Sequence, residues 1–197
     1  MLPIYNKPTI QYLIEEAVAS GIDDIIIVTG KNKRSIEDHF DRFHELEYSL
    51  QRAGKDRDLK KIRKITNLAD ICYVRQKHAK GLGDAIMCSR NHIGNEPFTV
   101  LLSHSVTKSK IPCTKQLIKT HEKYKWSTVA ITEMSNKTTN RIIEGDKIDE
   151  NTYKITNITE RLQNSSSNLA VIGHSSWHRT SLIKSTKPKP ASAAKSI

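Results

Sequence analysis

The chain has 197 residues, 37% of them hydrophobic and 6% aromatic, and carries a net charge of +11. That is enough chain to bury the core of one domain, and no apolar run approaches the ~20 residues a transmembrane helix needs. The three cysteines, Cys72, Cys88 and Cys113, fit neither a zinc motif nor a disulfide framework and read as free, partly buried thiols.

Residues 8–20 predict a helix, because Ile10, Leu13, Ile14, Ala17 and Val18 recur on one face. Pro8 suits its first turn and Gly21 its end. Ile25-Ile26-Ile27-Val28 is a continuous β-branched run and reads as a buried strand. Helix followed by buried strand is the rhythm of an α/β sheet. Residues 31–67 are charged and helical in character, with Ile36, Phe40, Phe43, Leu46 and Leu50 at helical spacing. Ile71–Val74 predicts a strand, residues 83–92 a helix after a Gly-bearing turn, and Phe98–Leu102 a third strand. Residues 113–125 suit a helix and Thr128–Glu133 a strand. Ile142–Ile158 reads as short antiparallel strands turning near Glu144-Gly145-Asp146, and Asn168–Gly173 as a further buried strand.

After Gly173 the composition turns to Ser, Thr, Lys, Pro and Ala. Residues 175–197 hold Arg179, Lys184, Lys187, Lys189 and Lys195 and no acid. Such a segment buries too little to offset its ordering entropy. The expected division is a folded unit over 1–174 and a disordered basic tail over 175–197. His174 and His178 stand four apart and could share a helical face, but no second ligand pair accompanies them, so a zinc site is not expected. The positive charge alone permits weak polyanion binding. No nucleic-acid motif or aromatic-interleaved basic patch joins it, so no specific nucleic-acid partner is expected. The start, Met1-Leu2-Pro3-Ile4, has no signal-peptide pattern. A cytoplasmic protein without a membrane partner is the expectation; the sequence does not set the oligomeric state.

Three segments carry chemistry or resemblance. In Met1-Leu2-Pro3-Ile4-Tyr5-Asn6-Lys7-Pro8-Thr9-Ile10-Gln11, Lys7 precedes a helix start, where a cation and unpaired N–H groups could meet a phosphate. In Val74-Arg75-Gln76-Lys77-His78-Ala79-Lys80-Gly81-Leu82-Gly83-Asp84-Ala85 a strand ends, a turn follows and a helix begins. Ligands of α/β sheets bind at the carboxyl ends of strands. Gly81 and Gly83 would let a planar base approach the backbone, and the Gln76 amide offers both donor and acceptor to a base edge. The third segment, Ser167-Asn168-Leu169-Ala170-Val171-Ile172-Gly173, reads as core strand.

Together these segments resemble the UTP–glucose-1-phosphate uridylyltransferases of bacteria and archaea, a group of nucleotidyltransferases. The resemblance implies an α/β, nucleotide-diphospho-sugar-transferase (Rossmann-like) fold: a mixed sheet with helices on both faces. It implies transfer of a uridylyl group from UTP to glucose 1-phosphate, giving UDP-glucose and pyrophosphate, with Mg2+ neutralising the phosphates. It assigns Gln76 and Gly81 to the base, Lys7 to nucleotide binding, and Glu160 to sugar hydroxyls. Arg161 takes the place of the lysine that meets the sugar phosphate.

The chain also departs from the pattern. The family's Gly-rich loop and the strand that carries it precede the Met-Leu-Pro-Ile segment, and are expected to be lacking here. Ser103-His104-Ser105 follows the third strand where the family has a metal-binding aspartate, and His104 occupies that position. Arg141 stands near the expected sugar site, where the family has glycine. The departures point to an impaired, truncated copy of the enzyme, or to a non-catalytic relic that at most binds a uridine nucleotide.

Overall fold

The computed structural model describes residues 3–133, 141–159 and 167–177. The first elements are a two-residue-per-strand hairpin, β1 (Pro3–Ile4) and β2 (Lys7–Pro8), closed by Tyr5 in the left-handed region at φ 60. Helix α1 (Thr9–Ala19) follows at once. Pro8 caps it from an extended conformation, φ −61 and ψ 145, one residue earlier than the first-turn position expected of it. Leu13, Ile14 and Ala17 form its buried stripe, as the apolar spacing predicted.

Strand β3 (Asp24–Thr29) pairs in parallel with β4 (Asp70–Arg75). The crossover between them is three helices, α2 (Arg34–Phe40), α3 (His44–Arg52) and α4 (Asp56–Thr66). Ile14 of α1, Ile27 of β3 and Phe40 of α2 form a buried cluster, with Ile10, Val18, Ile25, Ile36 and Ile65 packed against it. Glu47 is drawn inside the α3–α4 contact because two arginines meet it. Arg42 Nε lies 2.8 Å and Arg63 Nε 2.9 Å from its carboxylate oxygens. Those hydrogen bonds hold its carboxyl down at about 2.

The second sheet is built around β9 (Leu169–Trp177), reached through α5 (Leu82–Cys88), α6 (Arg90–Ile93), β5 (Phe98–Leu101), α7 (Cys113–Tyr124), β6 (Thr128–Glu133), β7 (Ile142–Asp149) and β8 (Thr152–Thr159). All pairings to β9 are antiparallel. Ser175 and Ser176 pair with β5 on one edge and β6 on the other, and Ala170 pairs with both Thr132 and Ile142. So β6 runs along one edge of β9, while β5 and β7 share the opposite edge in tandem, and β8 extends the sheet as a hairpin with β7. Helix α7 packs on β9 and β6, burying Thr114, Leu117 and His121.

Two expectations are corrected. The β7–β8 turn lies at 149–152, not at Glu144-Gly145-Asp146, which runs inside β7 with a register shift between Glu144 and Gly145. Gly145 serves close approach instead: a Cβ there would lie 2.5 Å from the Lys154 carbonyl oxygen. Strand β9 also continues past the composition break at Gly173 as far as Trp177, with His174 and Ser176 buried. His174 therefore sits on a strand, not a helix face. Period-two alternation explains this, since Ala170, His174 and Ser176 all fall on the buried side. The three cysteines are free and half-buried. No helix among the described residues is long and apolar enough to cross a membrane.

Candidate functional site

The end of β4 is the best-formed candidate. The parallel ladder closes when the Gln76 N–H donates to the Thr29 carbonyl at 2.8 Å, fixing the backbone at the carboxyl ends of β3 and β4 together. The chain then turns through residues 77–80 into α5. Gly81 is the N-cap, with φ 101 and ψ −178, a conformation open only to glycine. Space does not demand glycine there, because nothing lies within 4 Å of an added Cβ. The Gln76 side chain folds back across the turn. Its Nε2 donates to Asp84 Oδ2 at 2.7 Å and to the Gly81 carbonyl at 3.3 Å. The structure thus brings Gln76 and Gly81 together, and adds Asp84. Gly83 is the second residue of α5.

Lys7 lies at the start of α1. The four residues from Ser20 to Asp23 reverse the chain between α1 and β3, which pack together through Ile14 and Ile27. The N-terminus of α1 therefore returns to the carboxyl end of β3, the end that carries Gln76. Lys7 is not a lone cation as the sequence suggested. Its Nζ lies 2.8 and 2.7 Å from the two Glu15 oxygens and 5.3 Å from the Tyr12 ring centroid. Gln11 also donates to Glu15, and His39 meets Gln11 at 3.0 Å. A phosphate arriving at Lys7 would have to compete with the Glu15 carboxylate.

His104 is exposed in the turn after β5. That turn is stapled to β9, with the Leu102 N–H on the Gly173 carbonyl at 2.9 Å and the Gly173 N–H on Ser105 Oγ at 3.3 Å. Imidazole and two serine hydroxyls are not the carboxylate-rich donor set a hard cation takes. Among the described residues no group of three His, Cys, Asp or Glu could hold a metal ion. The residues at this turn do not fit magnesium. Glu160 and Arg161 lie outside the described residues.

One constellation was not anticipated from the sequence. Glu16, on the inner side of α1, is 9% exposed and gathers four elements. Its Oε1 accepts the Thr114 N–H at 3.0 Å and the Thr114 hydroxyl at 2.8 Å. Its Oε2 accepts the Thr107 hydroxyl at 2.9 Å and lies 3.3 Å from Nε2 of the fully buried His174, without the alignment of a hydrogen bond. A carboxylate from one helix thereby caps another, satisfying an orphan N–H at the α7 N-terminus and opposing its dipole. Burial raises the Glu16 carboxyl, but His174 and Thr114 outweigh it and bring it down to about 2. The neighbouring Cys113 thiol is pushed up to about 11, by burial first and then by the Glu16 charge.

The fold, with a Gly-bearing turn into a helix at the carboxyl end of a parallel pair, defines a class. The chain belongs to the nucleotidyl transferase family, which matches residues 1–196. Among its relatives are UTP–glucose-1-phosphate uridylyltransferases. That of Bacillus subtilis (strain 168) is 48% identical over 177 residues, covering 88% of this chain and 61% of the relative. That of Staphylococcus haemolyticus (strain JCSC1435) is 48% identical over 177 residues, covering 88% and 62%. The chain thus spans about three fifths of the length of these curated relatives. An apo UDP-glucose pyrophosphorylase structure superposes with a TM-score of 0.85 at 39% identity, over 96% of this chain and 72% of that one. A UTP-bound UGPase from Acinetobacter baumannii superposes at 0.83 and 26% identity, over 93% and 67%. The mixed α/β nucleotidyltransferase fold expected from the motifs is the fold observed.

Proposed function

We propose that the chain is a slow UTP–glucose-1-phosphate uridylyltransferase that binds its nucleotide at the β4–α5 turn. The observation that carries this reading is the Gln76–Gly81 pairing across that turn, at 3.3 Å. The relative solved with UTP and the one solved with UDP-glucose support the substrate class. In the reaction, a phosphate oxygen of glucose 1-phosphate attacks the α-phosphorus of UTP in line. The bond from that phosphorus to the bridging oxygen breaks, pyrophosphate leaves, and UDP-glucose forms. Gln76 and Gly81 hold the base. Lys7 exchanges Glu15 for a phosphate oxygen. By resemblance, Glu160 binds sugar hydroxyls and Arg161 neutralises the sugar phosphate. Slowness follows from the β5 turn, where His104 stands in place of an acid. Losing one charge-stabilising group in such a site costs roughly 100- to 1000-fold. The same turn favours a second reading, in which a uridine nucleotide binds and is not turned over.

Pyrophosphate release decides between them. The full chain is mixed with UTP, glucose 1-phosphate and magnesium, which triphosphates carry in this reaction class. Turnover that requires UTP and glucose 1-phosphate and yields UDP-glucose supports the enzyme. A folded chain that binds UTP without releasing pyrophosphate supports the binder, and one that does neither overturns both.

A further inference from the structure

The β4–α5 turn holds one more feature than its motif requires. A primary amide has two N–H donors on one side and a carbonyl acceptor on the other. Gln76 has both donors engaged within the protein, one on Asp84 Oδ2 at 2.7 Å and one on the Gly81 carbonyl at 3.3 Å. A carboxylate accepts only, so the nitrogen of the amide, not the oxygen, must face Asp84. The charge-assisted bond to Asp84 is the stronger of the two. What remains for a ligand is the Oε1 acceptor. Both Gln76 and Asp84 are half-buried, and Asp84 is the third residue after the Gly81 cap, so one turn of backbone fixes their separation.

We infer that Asp84 is a specificity-positioning residue. By holding the Gln76 amide in one of its two orientations, it restricts the site to pyrimidine bases that present a ring N–H. The inference rests on the proposed uridine-nucleotide site. Uracil presents N3 as a donor, which meets Oε1 directly. Cytosine presents N3 as an acceptor, which faces another acceptor and is repelled. A free glutamine would turn its amide over and greet either base. With Asp84 in place, turning over sets two oxygens against each other and strands a carboxylate, so cytosine has no compensating arrangement.

The test is a ratio of affinities. UTP and CTP are titrated calorimetrically into the full chain, its Asp84→Ala variant, and the Gln76→Glu, Asp84→Ala double variant. Circular dichroism confirms that each is folded. The wild-type chain is expected to prefer UTP by about tenfold or more, the worth of one well-placed hydrogen bond against a repelled one. Asp84→Ala lowers that preference to about threefold or less, chiefly by gaining CTP affinity. The double variant carries a carboxylate that only accepts and restores the preference without Asp84. An unchanged ratio in Asp84→Ala overturns the role of Asp84 while leaving the nucleotide site standing. A wild-type chain that binds neither nucleotide overturns the site and this inference with it. Loss of both affinities in equal proportion in the folded Asp84→Ala variant marks Asp84 as merely structural and likewise overturns the inference.

Discussion

The β4–α5 turn and the Glu16 cluster are opposite solutions to placing polar groups. The turn is half-exposed, held by two hydrogen bonds from a single side chain, and written in the sequence as a contiguous string from Gln76 to Asp84. The Glu16 cluster is buried and built from residues of α1, the β5–α7 loop, α7 and β9. The first can change partners when a ligand arrives, because water or ligand can replace any contact it loses. The second cannot, because Thr114 and His174, which it would strand, are fully buried. The proposed recognition thus falls to the weakly held region, and the tie between α1, α7 and β9 to the tightly held one.

Removing Glu16 breaks this contrast most severely. Glu16→Ala leaves the Thr114 N–H and hydroxyl and the Thr107 hydroxyl without their acceptor and removes the carboxylate beside His174, and is expected to cost ~3 kcal/mol in urea denaturation. The same residue sets an acid limit. Its carboxyl lies at about 2 in the fold against an ordinary 4.5, so it stabilises the native state above pH 4.5. That share is lost as pH falls from 4.5 toward 2. Glu16→Gln should flatten stability against pH across this window, leaving the part due to Glu47. If the slope is unchanged, Glu16 is not the coupling.

A smaller effect sharpens the other side of the comparison. Gly81→Ala forces a side chain into φ 101, ψ −178 and is expected to cost ~1–3 kcal/mol of stability. It should also weaken UTP binding, since relief of the strain moves the Gly81 carbonyl away from Gln76. An alanine variant with wild-type stability and affinity would show that the turn relaxes freely. The smallest change in stability is expected for Gln76→Ala, within about 0.5 kcal/mol in thermal unfolding, because its partners can turn to water. Its UTP affinity should nonetheless fall by about tenfold. Large destabilisation would mean that the turn is part of the core after all.

The sequence made one of these regions legible and hid the other. Apolar spacing disclosed α1 and the runs at 25–28, 71–74, 98–102 and 128–133, because burial on one face or two leaves a local pattern. The Gln76–Gly81 turn was readable for the same reason: its residues are neighbours in the chain. Glu16 carries no local signal of its own, and His174, four residues from His178, suggests a shared helical face. Only pairing β9 with β5 and β6 carries His174 inside, and only packing α1 against α7 gives Glu16 its cap to fill. Gly145 misled for a related reason. A glycine flanked by acids reads as a turn, whereas what required it was the Lys154 carbonyl across the ladder. Asp84 lay within the motif in plain sight, yet its role depends on which way an amide faces.

The place of β9 bears on how the molecule is made. It is the innermost strand of its sheet, with partners on both edges at Ser175 and Ser176, and it is the last of the described strands to be synthesised. The α1–β3–β4 unit can close while the ribosome is still at work. By contrast, β5, β6 and β7 must wait with open edges until residues 169–177 appear between them. Such late insertion demands long loop closures and is slow, and waiting edges invite pairing with other chains. A nascent chain halted before Leu169 would therefore hold one finished half and one half exposed to its neighbours.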